Sequence, residues 1–478
     1  MIGSWKAQKG DEARLSIFDP RMYKTWRVNG TYYLRVMAIS IVALWLPLCL
    51  FYGAAYRRSV NVNHIHIEVI DLDKGPIGNA VTNAAMGALR NNNNPTWRVR
   101  RDIDSIQSAK EWIKNHGWGG VVVNPGASDR LVQALNGRPE YNPDDALTVI
   151  VSSGRNPIGE PLFAQPALLE LAIHVKSRFA IRSLTDFKRS GATATPNLNA
   201  LLNPVSYTTV DVSPYAPPLA PVLYLFPFLV GFLCTIGMLI TWKMTTFTFF
   251  LKARFLHVWT ALLSLVLAWA CIIGLYGSLA ILAFKGPDYG AEHEGRTYTA
   301  GRFFSIWFTI MAVITALALW NLAWFMLLPP DFIGLLSVST VIPNVVSCLV
   351  PVELTPRFFR WFYATPFFNG AMLFRYIISG AYKRIGENVG IILGEIAIMA
   401  CALGVTAWLR QYMAVNGICD VPGFIHGNPF YNSPVPYYKA EVSAPMLMAE
   451  KDDSERRALH IADSHNDATS LKDGNLGV

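Results

Sequence analysis

The sequence predicts a polytopic α-helical membrane protein with six transmembrane helices and an extracytoplasmic α/β domain inserted between the first and second helices. Of the 478 residues, 52% are hydrophobic and only 15% are charged, whereas soluble domains usually carry about 25% charged residues. The hydrophobic residues also form uninterrupted runs, and a run of about 20 residues crosses a bilayer as a helix. Between the first two runs lies a polar stretch in which short strand and helix patterns alternate.

Six apolar segments have the length that a membrane span requires, or nearly so. They are Val36–Ala55, Leu219–Thr241, Val258–Phe284, Phe303–Leu328, Phe332–Val350 and Val389–Leu409. The first five contain no Asp, Glu, Lys or Arg, which favours a place in the hydrocarbon layer. The fifth is interrupted by Pro343 and Asn344. Such a break is tolerated where neighbouring helices satisfy the freed backbone groups.

These segments divide the chain into five regions. They are a cytosolic N-terminal segment at 1–35, transmembrane helix 1 at 36–55, the extracytoplasmic α/β domain at 56–218, a five-helix membrane domain at 219–415 with an outer loop at 351–388, and a cytosolic tail at 416–478. We expect the tail to be largely disordered, because it is polar and rich in Ser, Asn and Asp.

Basic residues next to the spans predict the orientation. Residues 1–35 hold seven Lys or Arg against three acids. The connection between the second and third spans holds Lys243, Lys252 and Arg254 and no acid. Positive flanks remain cytosolic, so six spans place both termini in the cytosol. The segment 351–388 then falls outside, against this rule, since it holds five basic residues. They are Arg357, Arg360, Arg375, Lys383 and Arg384.

Within 56–218, the patterns predict a sheet covered by helices. Strand patterns occur at His64–Asp73, at Gly119–Gly126 and in the stretches LTVIVSSG and YTTVDVSP. Helix patterns include SDRLVQALNG, with Ser128 as its N-cap, and a stretch from about Pro161 to Arg182. The glycines of DLDKGPIG and GWGGVVVNPG are interpreted as turns at strand ends and not as a phosphate loop.

The same strand patterns speak against a bound metal. His64 and His66 alternate along one strand, and we interpret them as polar positions on a solvated face, because no third ligand lies nearby in the sequence. We expect neither a metal site nor a cofactor.

Three segments carry a resemblance to a known family. They are IEVIDLDKG within His66–Gly75, GWGGVVVNPGA at Gly117–Ala127, and PVELTPRFFRWFYATPFFNG at Pro351–Gly370. In their order and spacing around the spans, the chain resembles the fungal nitrosoguanidine-resistance membrane proteins. More widely, it is similar to the phage-infection-protein-like permeases of ABC-2 type exporters. The resemblance covers about residues 30–415.

The resemblance implies a plasma-membrane protein associated with resistance to toxic compounds. It also implies a homodimer, or a pair with a homologous chain, because two such permease halves enclose one path. Small residues in the third span, namely Gly274, Gly277 and Ser278, would permit close approach of a partner helix.

Glu395 is the only acid within the six predicted spans. An ionisable group in a membrane is energetically costly and is by default a functional hypothesis. The functional interpretation makes Glu395 a proton-coupling or substrate-contacting carboxylate. The structural interpretation has it paired with an Arg of the preceding loop, or protonated.

The segment PVELTPRFFRWFYATPFFNG supplies the remaining transport or coupling candidates, Glu353, Arg357, Arg360 and Asn369. Arg357 and Arg360 lie three residues apart and would share a face of a helix. One interpretation is a re-entrant or surface helix that lines the outer mouth of a transport path. The alternative is an amphipathic anchor lying on the membrane.

The predicted function is therefore that of a permease-like membrane protein that gives resistance by moving amphipathic solutes or lipid outward. The sequence contains no ATPase signature, so transport would use a separate ATPase, an ion gradient or no energy source. The alternative is a non-transporting membrane organiser or stress-signalling scaffold that acts through lipid order and protein contacts.

Two other classes are disfavoured. An enzyme is disfavoured because no Ser-His-Asp set, metal cluster or pair of intramembrane carboxylates can be assembled. A nucleic-acid partner is disfavoured because the basic residues are dispersed, which leaves membrane lipid as the expected contact.

Overall fold

The structure is a computed structural model that describes residues 20, 23–56, 58–88, 94–137, 140–190, 197–214, 220–245, 253–283, 299–328 and 332–415. The predicted disordered tail at 416–478 and most of the predicted N-terminal segment at 1–35 lie outside the described residues. From Ala38 onward, the described chain forms one compact unit, and the preceding residues belong to another.

Twelve α-helices of the described chain are numbered here in order. They are α1 Tyr23–Ala55, α2 Pro76–Asn83, α3 Ile106–Asn115, α4 Ala127–Leu135, α5 Gln165–Ser190, α6 Leu198–Leu202, α7 Ala220–Thr245, α8 Phe255–Ala283, α9 Ala300–Leu327, α10 Ile333–Leu349, α11 Pro366–Ser379 and α12 Ile385–Val415.

Five helices within the described residues are long and apolar enough to cross a membrane. The qualifying stretches are Met37–Ala55, Leu225–Lys243, Phe255–Ala283, Ala300–Leu327 and Ile385–Met413. Each overlaps a predicted span. The predicted fifth span forms α10, which has 17 residues and is shorter than the length of about 20 that a span requires.

Between α1 and α7 the chain forms a five-stranded sheet with helices on both faces. The strands are β1 His66–Asp71, β2 Thr96–Arg100, β3 Gly119–Val123, β4 Leu147–Val151 and β5 Tyr207–Asp211. Their spatial order is β2-β1-β3-β4-β5. The pairs β1–β2, β1–β3 and β4–β5 are parallel, and β3–β4 is antiparallel. Helices α2, α4 and α5 cover one face, and α3 covers the other.

The polar face of β1 is only partly solvated, which corrects the interpretation of the alternating pattern, and His64 lies before the strand at the end of a 3₁₀ helix. Glu68 is only 1% exposed and His66 is half-buried. The reason is α3, whose Ile113 packs with Ile70 and Val122 on this second face of the sheet. Burial lowers the pKa of His66 and raises the pKa of Glu68 to about 7.

The glycines of GWGGVVVNPG have a packing role that their interpretation as turns missed. Gly119 and Gly120 begin β3, the middle strand of the sheet. A Cβ on Gly119 would lie 2.6 Å from Leu168 of α5, and a Cβ on Gly120 would lie 2.8 Å from Ile113 of α3. The two helices approach the sheet closely from opposite faces because these two positions lack side chains.

Ser128 does not cap its own helix, contrary to the prediction. Helix α4 begins at Ala127, and the Ser128 hydroxyl accepts a hydrogen bond from the amide of Ile77 at the start of α2 (3.1 Å). The same hydroxyl donates to the Asp73 carboxylate, which also accepts the Ser128 amide (3.0 Å). Ser128 therefore links the loop after β1 to the first turns of α2 and α4.

Helix α9 lies at the centre of the membrane helices and packs against α7, α8, α11 and α12. The small residues of the third span contribute to this packing. A Cβ on Gly274 would lie 2.8 Å from Trp307 of α9, and Ser278 is buried. Gly274 and Ser278 therefore take part in packing within the chain. Because these two positions are not free for a partner helix, they no longer support the predicted dimer.

The predicted outer loop at 351–388 is largely helical. It contains two 3₁₀ helices, Val352–Leu354 and Arg357–Ala364, and then α11. Helix α11 is buried among the membrane helices, where the rings of Phe367 and Phe374 each lie 5.3 Å from that of Phe228 in α7. The alternative of an amphipathic anchor on the membrane surface therefore applies at most to the 3₁₀ helix Arg357–Ala364. In this helix, Phe358 is 70% exposed.

Candidate functional site

A cavity of about 410 Å³, here called the Glu395 cavity, lies among the membrane helices. It is lined by Ala316, Leu317, Trp320, Leu336, Ser339, Thr340, Pro343, Asn344, Trp361, Ala364, Thr365, Pro366, Glu395 and Met399. Helices α9, α10 and α12 supply three walls, and the connection at 361–366 supplies the fourth. Its volume falls within the range of about 300–1,000 Å³ that is typical of small-molecule sites.

The local sequence explains how these walls arise. Pro366 occupies the first position of α11, where proline fits because its missing N–H has no helical partner. Pro343 lies inside α10 and removes the helical hydrogen bond that the carbonyl of Ser339 would otherwise accept. The break noted in the predicted fifth span therefore lies in the wall of the cavity.

Most polar side chains of the cavity are hydrogen-bonded within the chain. Trp320 donates its indole N–H to the Thr340 hydroxyl (3.2 Å), which donates to the carbonyl of Leu336 (2.9 Å). Asn344 donates to the carbonyl of Thr340 (2.9 Å) and accepts from the amide of Phe367 (3.2 Å). The Thr365 hydroxyl is likewise engaged, within 2.8 Å of the Ser347 hydroxyl.

Glu395 differs from these four residues. Its side chain is half-buried, and its buried Oε2 has no hydrogen-bond partner among the described residues. Among the described lining residues, Glu395 is the sole side chain that can carry a charge. The predicted pairing with an arginine of the preceding loop is therefore not formed within the described chain.

The walls of the cavity form a mainly apolar binding surface. The walls are apolar or aromatic, with Trp320 and Trp361 still 36% and 43% exposed where the cavity opens to the surface of the chain. Within the described residues, no group of three His, Cys, Asp or Glu side chains could hold a metal ion. The site therefore combines a large apolar surface with one carboxylate.

The other predicted site residues lie elsewhere. Arg357 is exposed, and Arg360 is half-buried beside Tyr363. Asn369 is fully buried and donates to the carbonyls of Tyr363 and Thr365, both at 2.9 Å. None of these three residues lines the Glu395 cavity.

Glu353 belongs to a second cluster, here called the junction cluster, formed by Arg155, Glu353, Arg375 and Tyr382. The Arg155 guanidinium donates to the carbonyls of His116 (2.6 Å) and Gly117 (3.1 Å) and lies 3.8 Å from the Glu353 carboxylate. It also lies over the Tyr382 ring, 4.4 Å from the centroid. Thus a loop that follows β4 contacts both segments that flank α11.

Arg375 of α11 completes the junction cluster. Its guanidinium, in a side chain only 1% exposed, donates to the carbonyls of Arg155 (3.2 Å) and Cys348 (3.0 Å). Tyr382 adopts a left-handed conformation with φ of 55°, which a non-glycine residue seldom adopts, and its amide donates to the carbonyl of Lys114 (2.9 Å). The sheet and the membrane helices are therefore joined by backbone carbonyls as well as by charge.

Sequence reasoning identified Glu395 but missed its neighbours. Trp320, Thr340 and Trp361 each fit an ordinary apolar or interfacial pattern when considered alone. A usable signal was present at Pro343 and Asn344, since polar or helix-breaking residues inside a span often line a cavity. Arg155 gave no comparable signal, because its loop is far from the spans in the sequence.

The fold and the site together define a polytopic helical membrane protein with a cavity among its helices. Residues 36–401 match a family whose description is a protein of unknown function (DUF3533), and the chain belongs to this family. The matched region begins with the apolar part of α1 and ends within α12. No solved structure matches the chain.

Proposed function

We propose that the protein is a permease-like membrane protein that gives resistance to toxic compounds by moving amphipathic solutes or lipid outward. The observation that supports this proposal best is the Glu395 cavity, which places one unpartnered carboxylate oxygen in an apolar and aromatic site among membrane helices. Intramembrane ionisable groups commonly mark substrate or ion pathways. The description of the family that matches residues 36–401 names no activity, so the cavity is the main support for this function.

The proposal includes an orientation and an assembly. We place the protein in the plasma membrane with six spans, counting α10 as the fifth, and with both termini in the cytosol. The sheet between α1 and α7 then lies outside the cell. We also propose that two chains, or the chain and a homologue, form one transport unit. Energy would come from a separate ATPase or an ion gradient, and the protein itself would carry out no covalent chemistry.

The test is efflux of a labelled amphipathic toxicant from cells with and without the protein, before and after collapse of the proton gradient. We expect faster efflux when the protein is present. A variant that fills the cavity, Ala364→Phe, should slow efflux, because Ala364 is exposed and lines the cavity. Membrane abundance is measured alongside.

The matched control is Ala397→Phe, which adds the same ring to an exposed position of α12 outside the cavity. It should leave efflux unchanged. Resistance without any change in efflux would reject transport and favour the membrane organiser. Equal loss of efflux in both variants would show that the cavity is not the path.

A further inference from the structure

We propose that the Glu395 cavity binds amphipathic organic cations, and that such a cation and a proton alternate on the Glu395 carboxylate. This inference rests on the proposed function and deepens it, because it names the chemical class of the substrate and the exchange that would drive its release.

The single carboxyl group of the cavity favours a cationic solute over an anionic or a neutral one. An anionic solute would meet the Glu395 carboxylate with no basic residue among the described lining residues to offset it. A neutral solute would leave the carboxyl group in its protonated form and would gain no charge pairing from it. A cation is the class of solute that satisfies the carboxylate and leaves no charge unpaired.

The walls select an organic cation and not a metal ion. A hard cation such as Ca²⁺ requires about six to eight oxygen ligands. The oxygens of Thr340, Asn344 and Thr365 already take part in hydrogen bonds within the chain, which leaves only the Ser339 hydroxyl and the Glu395 carboxylate among the described lining side chains. The indole rings of Trp320 and Trp361 offer apolar contact and, over their faces, attraction to a positive charge. An alkyl or aryl ammonium or phosphonium ion combines the apolar body and the charge that this site requires.

Because the described lining has a single carboxylate, binding of a cation displaces the proton from that group. When a cation enters, the carboxyl proton leaves to water and the carboxylate pairs with the cation. When the cation leaves, one proton returns, so charge and atoms balance at one proton for each monovalent cation. No second titratable side chain from α9, α10, α12 or the 361–366 connection lines the cavity within the described chain. The proton and the cation therefore compete for the same group.

The test uses the full-length protein in lipid nanodiscs and equilibrium dialysis with labelled tetraphenylphosphonium. Tetraphenylborate, which has the same shape and the opposite charge, is the matched probe, and empty nanodiscs of the same lipid correct for partitioning. We expect the cation to bind at least about tenfold more tightly than the anion. Its affinity should fall as the pH is lowered from about 7 to about 4, because glutamate carboxyl groups take up protons at about pH 4.

Two variants assign the effect to the carboxylate. Glu395→Gln should lose the preference for the cation and its pH dependence, whereas Glu395→Asp, which keeps the charge, should retain a preference. The control is Glu387→Gln, which removes an exposed carboxylate from the same helix and should bind as the wild type does. If the Gln variant does not fold, the comparison of the two ions on the wild type still decides.

Equal binding of the two ions by the wild type, or unchanged cation binding by a folded Glu395→Gln variant, would overturn the inference. These results are separable from the fate of the proposed function. Efflux of a neutral toxicant without cation preference would leave transport in place and reject the charge class. Selective cation binding without cellular efflux would leave the site in place and reject transport.

Discussion

At the scale of single residues, the structure contains a buried carboxyl group outside the membrane helices that sequence reasoning passed over. Glu160 lies just before α5, and its side chain is only 2% exposed. Its Oε1 has no hydrogen-bond partner among the described residues. Burial, reinforced by the nearby Asp211 carboxylate, raises the pKa of Glu160 from 4.5 to about 7. This carboxyl group makes folding stability depend on pH.

We predict that Glu160→Gln raises stability above neutral pH. In the wild type, the folded chain keeps a proton that the unfolded chain releases between pH 4.5 and about 7, so the free energy of unfolding falls as the pH rises through this window. The Gln side chain cannot ionise and escapes the penalty, which is up to about 3 kcal/mol at pH 8. Thermal unfolding of the detergent-solubilised protein at several pH values measures the difference.

The control for this prediction is Glu170→Gln, which removes an exposed carboxylate from α5 and should leave the pH profile of the wild type unchanged. Near pH 4 the wild type and the Glu160→Gln variant should have nearly the same stability, because both side chains are then uncharged. A Glu160→Gln variant that is less stable than the wild type at pH 8 would contradict the assignment of a neutral, buried carboxyl group.

At the scale of elements, the junction cluster holds the sheet against the segment that precedes α11. Arg155 is 9% exposed, and burial lowers the pKa of its guanidinium, although the Glu353 carboxylate acts in the opposite direction. The pair therefore differs from a surface ion pair, in which water screens both charges. We therefore expect loss of the Glu353 charge to weaken the contact between the sheet and the segment that precedes α11. The sheet and the membrane helices should each stay folded.

The prediction is that Glu353→Gln lowers the free energy of unfolding by about 1–3 kcal/mol, since it leaves a buried charged group with fewer partners. Hydrogen exchange should increase first in two places, the loop after β4 around Arg155 and the backbone around Tyr382. Hydrogen exchange with mass spectrometry on the full-length protein provides the measurement.

Glu387→Gln is the matched variant, because Glu387 and Arg384 form an ion pair at 3.2 Å in which both side chains are exposed. Exposed pairs contribute only about 0–1 kcal/mol, so this variant should change exchange little. If the two variants had the same small effect, Glu353 would not hold the junction.

At the scale of the whole molecule, the proposed orientation makes a direct topological prediction. All six cysteines of the sequence are first replaced, and single cysteines are then introduced at Ser177 and Ser470. Ser177 is exposed on α5 beside the sheet, whereas Ser470 lies in the tail outside the described residues. In intact cells, an impermeant thiol reagent should label the Ser177→Cys variant and leave the Ser470→Cys variant unlabelled.

Permeabilised cells provide the control, because both cysteines should then react. Labelling at position 470 without permeabilisation would contradict a cytosolic C-terminus and an even number of spans. With α10 at 17 residues, the count of six depends on whether this helix crosses the membrane. A result of five spans would place the tail and the sheet on the same side.

The sequence by itself determined the membrane class and most local elements. Hydropathy and periodicity depend on neighbouring residues, so they located the five long apolar helices and a strand at β3 to within a few residues. The same local signal singled out Glu395, because a charged residue in an apolar run is conspicuous without any knowledge of the fold.

Only the tertiary structure decided what these elements contact. The antiparallel β4, the burial of α11 and the close packing at Gly119 depend on segments that are distant in the sequence. Arg375 and Arg155 are separated by 220 residues and share a hydrogen bond. The Glu395 cavity likewise combines Trp320, Trp361 and Glu395 from three elements. A local pattern indicates whether a residue prefers water or an apolar environment. It carries no information on which distant residues form that environment.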